Sequence, residues 1–161
     1  MNKNKDNSSE NRIKIITDID TLVKLRFDYI STEIELSAED KTKFEPQLRE
    51  YFKQYVPEGK CIAYAMEIDG EIVSAAFLII DEKPPGLNNP NGRYGTIMNV
   101  FTHPGHRGKG YASCVMKCLM DNAENSFVSV LDLYSTQAGK RLYAKLGFKE
   151  VEYSAMRYYV K

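Results

Sequence analysis

The chain has 161 residues, 43% of them hydrophobic and 27% charged, which suits one soluble domain with a substantial core rather than a disordered protein. Its 22 basic residues balance 22 acidic ones, leaving no overall field to gather nucleic acid or an anionic membrane. No apolar run approaches the roughly 20 residues a bilayer crossing needs, and the opening MNKNKDNSSEN lacks the apolar stretch of a secretory signal, so a cytoplasmic protein is expected.

Residues 1–11 are polar and unpatterned and read as a flexible tail before a single domain over 12–161. Arg12 to Thr17 alternates charged and apolar residues as a first strand does. Asp18 can cap a helix in which Ile19, Leu22, Val23, Leu25, Arg26 and Tyr29 recur near helical spacing. A second helix fits Ser37 to Tyr55, with Ser37 as cap and Asp40 completing an imperfect capping box. Pro46 inside it predicts a kink or two shorter helices.

Then the period changes to two. Lys60 to Ile68 and Glu71 to Ile80 read as strands joined by Asp69-Gly70, a strong hairpin signal. Asp81 to Arg93 carries three prolines, two glycines and three asparagines and reads as an exposed loop. Tyr94 to Thr102 is the next strand, Gly108 to Asn122 a helix, and Phe127 to Tyr134 a strand. A helix over Ala138 to Leu146 is closed by Gly147, and Glu150 to Val160 supplies a last, tyrosine-rich strand. The alternation predicts an α/β domain, a mixed sheet with helices on its faces.

Three cysteines, Cys61, Cys114 and Cys118, form no paired framework and read as reduced thiols. Cys114 and Cys118 are one helical turn apart, but a tetrahedral metal site needs about four ligands. No further Cys/His pair is placed to help, so no metal is expected.

The stretch Asn99 to Ala112 (NVFTHPGHRGKGYA) joins an apolar strand to an amphipathic helix through a glycine-rich turn. A helix start offers unpaired N–H groups and partial positive charge, an anion site ready-made. Gly108 and Gly110 remove side chains that would hold a phosphate away, and Arg107 and Lys109 add positive charge. Downstream, Ala112, Val115, Met116, Leu119 and Ala123 form the apolar face that anchors the helix. A glycine-rich turn can also serve structure alone. Neither the Walker nor the Rossmann fingerprint is present.

Arg107-x-x-Gly110-x-Ala112 resembles the Q/R-x-x-G-x-G/A signature of the GNAT N-acetyltransferases, and NVFTHPGHRGKG resembles its lead-in from the central strand. Thr136 to Phe148 (TQAGKRLYAKLGF) is similar to the family's later helix. The resemblance implies the GNAT fold, a central mixed sheet flanked by helices, and acetyl-CoA as co-substrate. It implies that the amides of Arg107, Gly108, Lys109, Gly110, Tyr111 and Ala112 cradle the coenzyme pyrophosphate. Val100, Phe101 and Thr102 would pair with the pantetheine arm as with another strand. A bulge there would splay this strand from Phe127–Tyr134 and open a slot for the thioester. Thr136 stands where many members carry Asn, and Gly139 where many carry Ala, which bears on bonds to the pantetheine.

By the same resemblance Tyr143 is the general acid and an N–H near Val100 the oxyanion donor. The function implied is acetyl transfer to a primary amine by direct attack in a ternary complex; a coenzyme-binding sensor without turnover is the alternative. No general base is assigned: Glu33 and Glu35 sit where relatives bind acceptors, and Asn99 replaces a carboxylate that some relatives carry. Between Asp28 and Glu50, seven acids face three bases, which leans toward a cationic acceptor such as a polyamine, aminoglycoside or lysine-bearing peptide. A small-molecule or peptide amine is the expected partner, with no nucleic acid or membrane, and a homodimer stays open.

Overall fold

A computed structural model describes residues 12–160; the tail assigned to residues 1–11 lies outside the described residues. Five strands form one sheet in the order β1-β2-β3-β4-β5: β1 (Ile13–Ile16), β2 (Cys61–Ile68), β3 (Glu71–Glu82), β4 (Arg93–Thr102) and β5 (Val130–Leu133). The first four run antiparallel to their neighbours, and β5 joins β4 in parallel after the helical crossover that parallel pairing requires. The β2–β3 hairpin turns on Asp69 and Gly70, both at positive φ (51° and 83°), matching the turn chemistry of the sequence.

β3 is buried almost without interruption from Val73 to Ile80, because helices cover both faces of the sheet centre. On one face α1 (Ile19–Glu33) and α2 (Ala38–Tyr55) press Leu22, Leu25, Leu48 and Phe52 onto Ala63, Ala65, Ala75 and Phe77. On the other, α3 (Tyr111–Asn125) packs Val115, Met116, Leu119 and Ala123 onto Met66, Val73, Leu78 and Ile97. Each buried Leu, Val, Met or Phe contributes about 1.5–3 kcal/mol. The alanines facing α1 and α2 leave room for those helices and for the Phe52–Phe77 edge contact, whose centroids are 5.9 Å apart.

Both helices on the first face are capped by their own sequence. Asp18 accepts from the Thr21 amide at 2.8 Å. Ser37 and Asp40 form a complete capping box, with Asp40 N donating to Ser37 Oγ and Ser37 N to Asp40 Oδ2. Pro46 neither splits nor ends α2. Pro46 and Thr42, whose carbonyl loses its usual donor, are both exposed, so water takes that bond while Leu48 and Phe52 hold the inner face.

One further expectation is corrected. Glu150 to Val160 forms no strand among the described residues. Its apolar positions change parity midway, with Val151 and Tyr153 on one side and Met156 and Tyr158 on the other. A strand with period two would therefore turn half of them away from any core. All four are exposed. The loop after β3 is exposed except for two anchored points, Asn89 and Gly92. Asn89 Nδ2 donates to Arg93 O at 3.0 Å and its backbone bridges Gly86, while Asn91 Nδ2 donates to Phe127 O at 2.8 Å.

Candidate functional site

β4 changes character halfway along. Its first half, Tyr94 to Ile97, pairs with Val130 to Leu133 of β5. Beyond Ile97 that edge carries no ladder, so Met98 to Thr102 keep one side free while the other still faces β3. Opposite β3 the register also slips: Met98 pairs with Phe77 and Phe101 with Ala75, leaving Asn99 and Val100 against Ala76 alone. Two residues against one is a bulge, and it lies just past Ile97–Leu133, the last β4–β5 pair.

Asn99 takes the strain of that bulge, at φ 58° and 1% exposed. Its amide donates to Leu25 O at 3.1 Å, and its Oδ1 accepts from Arg26 NH1 at 3.2 Å. An asparagine tolerates the left-handed region better than most residues, and both ends of its amide tie the bulge to α1. Asn99 thus holds the strand's shape, a role that needs no basic side chain.

The turn after β4 is built to leave amides free. His103 N donates to Val73 O at 2.9 Å, a short 3-10 turn covers Pro104–His106, and Arg107 Nε reaches back to Thr102 O at 3.0 Å. Gly108 and Gly110 stand at φ 76° and 81°, a conformation that costs other residues roughly 1–2 kcal/mol. A Cβ at either position would meet nothing within 4 Å, so the space over the turn is open. Cys114 N to Gly110 O is the first α-helical bond here, so the amides of Tyr111, Ala112 and Ser113 precede the ladder. Unlike α1 and α2, α3 has no side-chain cap and no acid in its first turn. Arg107 and Lys109 are exposed, and neither is ion-paired among the described residues. Of the lead-in strand, Val100 packs on the α3 side, Phe101 on the α1 side, and Thr102 Oγ1 lies 2.9 Å from Ser74 Oγ.

Tyr143 lies on α4 (Lys140–Lys145), its ring edge-on to Phe148 at 6.1 Å between centroids. Thr136 closes the turn before α4, its Oγ1 accepting from Gly139 N at 3.2 Å. Gly139 carries no Cβ because one would stand 2.8 Å from Tyr143 Cε2; the glycine lets the tyrosine ring lie against this turn. Burial, and then the nearby Tyr29 phenol, push the Tyr143 phenol above its ordinary value.

Two groups passed over in the sequence stand beside these. Arg26 is half-buried, its guanidinium carbon 5.7 Å from the centroid of the Tyr29 ring. His103 Nε2 lies 3.9 Å from Asp28 Oδ2, a carboxylate also bonded by Lys24 at 2.6 Å. Helical spacing alone made Arg26 one more residue on the buried stripe, and nothing in the sequence linked it to Asn99. Of the seven acids between Asp28 and Glu50, Asp28, Glu39, Glu45 and Glu50 pair with lysine or arginine neighbours, and Asp40 caps α2. Five of the seven thus have a partner in place, although only Lys24 and Lys53 bring positive charge from outside the stretch. Among the described residues, no group of three His, Cys, Asp or Glu side chains could hold a metal ion, and no helix is long and apolar enough to cross a membrane.

The sequence profile of the Acetyltransferase (GNAT) family matches residues 28–148. The chain belongs to this family. Its fold is shared with a predicted acetyltransferase of Clostridium acetobutylicum solved with acetyl-CoA, at 24% identity and a TM-score of 0.78 over 90% of this chain and 94% of that one. It is shared also with a GCN5-related N-acetyltransferase of Ralstonia eutropha, at 19% identity and a TM-score of 0.75 over 91% and 97% of the two chains. A glucosamine-6-phosphate N-acetyltransferase of Arabidopsis thaliana follows at 19% identity and a TM-score of 0.69 over 92% and 99%. No curated protein matches. The GNAT match takes in the bulge, the glycine turn and α4, and stops before the unpaired segment after Glu150.

Proposed function

We propose that this GNAT protein transfers the acetyl group of acetyl-CoA to a primary amine by direct attack within a ternary complex. The observation that carries this reading is the uncapped start of α3 beside two unpaired cations, immediately after a strand whose edge is free. The amides of Gly108 to Ala112 bind the pyrophosphate, while Arg107, whose own amide donates to Pro104 O at 3.3 Å, joins Lys109 in adding positive charge. The free edge of Val100, Phe101 and Thr102 takes the pantetheine arm as a further strand. Thr136, whose Oγ1 already accepts within its own turn, can still donate its hydroxyl hydrogen to the arm.

The chemistry then runs over the bulge. The neutral amine attacks the thioester carbonyl carbon, and an N–H near Val100 donates to the oxyanion that forms. As the C–S bond breaks, the Tyr143 phenol gives its proton to the departing thiolate, while the new ammonium loses one to water. A phenol held above its ordinary value stays protonated at neutral pH, as a donor must.

A thiol-release assay with acetyl-CoA and a panel of primary amines, followed by mass spectrometry of the products, tests the reading. An acetylated amine formed in step with free thiol is expected. Coenzyme binding with no thiol release from any amine would make the protein a sensor instead.

A further inference from the structure

Arg26 is a cation held half out of water. Its NH1 donates to Asn99 Oδ1 at 3.2 Å, and among the described residues this is its one hydrogen bond. Among the described residues it also belongs to no ion pair, whereas Arg49 on α2 is held by both Asp20 and Glu45. Burial lowers its pKa, and the nearby Tyr29 and Tyr51 offset that only in part. A guanidinium has five N–H donors in a planar fork, so Nε and NH2 remain to bond something else. Burying such a cation half out of water costs free energy that neither a single amide oxygen nor one aromatic face at 5.7 Å fully offsets.

Its place matters as much as its state. Arg26 bonds the side chain of the residue at the β4 bulge, and its neighbour Tyr29 is the residue whose phenol raises that of Tyr143. Arg26 and Tyr29 therefore stand at the bulge on the α1 face of the sheet, whereas Tyr143 packs in the cluster under α3 on the other. The coenzyme arm occupies the strand edge in the proposed reaction, and an acceptor must approach from this α1 side to reach the same carbonyl.

Resting on the transferase reading, we infer that the Arg26 guanidinium binds an oxyanion of the acceptor, a carboxylate or a phosphate, close to the amino group that is acetylated. The acceptor is then an amine carrying its own negative group rather than a polycation. This accords with the acids of α1 and α2, most of which already have partners. A planar fork binds either oxyanion in a bidentate manner, which a lysine cannot reproduce.

Matched amines test this: α-amino acids against the corresponding decarboxylated amines, and O-phosphoethanolamine against ethanolamine. For each pair, kcat/KM is measured by thiol release with wild type, Arg26→Met and Arg26→Lys, all checked by thermal melting. Calorimetry on the coenzyme-loaded protein measures binding of the same compounds. Wild type is expected to prefer the anionic member of at least one series by about 10- to 100-fold, the range of charged hydrogen bonds. Arg26→Met should bring that ratio close to one, with Arg26→Lys between them. The series that shows the preference tells carboxylate from phosphate. A wild-type ratio near one in both series overturns the inference. So does an unchanged ratio in Arg26→Met with both members slowed alike, since Arg26 would then only hold Asn99. Anion-selective binding lost in Arg26→Met, but with no thiol release, keeps the subsite and overturns the transferase reading. Thiol release only from the amines that lack an anionic group does the reverse.

Discussion

At Tyr143 one hydroxyl can be removed while the ring and its edge contact with Phe148 remain. Tyr143→Phe should lower kcat by about 100-fold, the low end for general acid catalysis, because a thiolate leaves tolerably without help. KM for acetyl-CoA should change far less. Since the phenol is raised, the alkaline fall of kcat should begin above the ordinary tyrosine range of about 10 and vanish in the Phe variant. Steady-state kinetics over pH check both points, and parental turnover would reduce Tyr143 to a packing residue. Cys61 offers a separate test by stability. It is 2% exposed, and burial pushes its thiol from 9.0 up to about 12. The thiol holds its proton longer in the folded state, so its stabilisation is complete below pH 9 and is lost as pH rises toward 12. Between these limits stability should fall by at most about 1.4 kcal/mol per pH unit from this group. Cys61→Ala, though less stable at neutral pH, should show a shallower decline of Tm between pH 9 and 10, where the tyrosines affect both proteins alike. An unchanged slope would contradict the assignment.

At the level of elements, the capping box of α2 makes a local test. Ser37→Ala removes the acceptor for Asp40 N and should cost about 1 kcal/mol, or roughly 2–4 °C in Tm for a chain of this size; calorimetric melting measures it. What was legible in the sequence was the local chemistry. Asp18, Ser37 and Asp69-Gly70 act through neighbours three or fewer residues away, and each does in the structure what its type predicts. The glycine turn was legible for the same reason, since φ at Gly108 and Gly110 is a property of the residue itself. Pro46 misled because a missing donor matters little on a wet face. Arg26 was not legible because its partner Asn99 is 73 residues away, and only the bulge brings the two together. The segment after Glu150 has the composition of a strand, but its apolar residues do not keep to one face.

Across the whole molecule, the sheet is finished by five strands, and the chain beyond α4 runs exposed, with Tyr153, Tyr158 and Tyr159 at 85%, 84% and 76% accessibility. The loop after β3, though rich in proline, is tied by Asn89 and Asn91 to Arg93, Phe127 and Ser129. Limited chymotrypsin digestion should therefore cut first at Tyr153 to Tyr159, with fragments read by mass spectrometry; a first cut at Leu87 would show the loop to be the weaker point.

The central claim is that the start of α3 binds the coenzyme, and calorimetric titration of acetyl-CoA into wild type, Gly110→Asp and Gly110→Asn tests it most directly. Both variants share the strain of a side chain at φ 81°, but only aspartate places a negative charge against the pyrophosphate. Wild type should bind acetyl-CoA, and Gly110→Asp should bind at least about 30-fold more weakly than Gly110→Asn, or roughly 2 kcal/mol, with circular dichroism unchanged in both. Equal affinity in all three proteins would mean that no phosphate approaches these amides, and the site would have to be sought elsewhere.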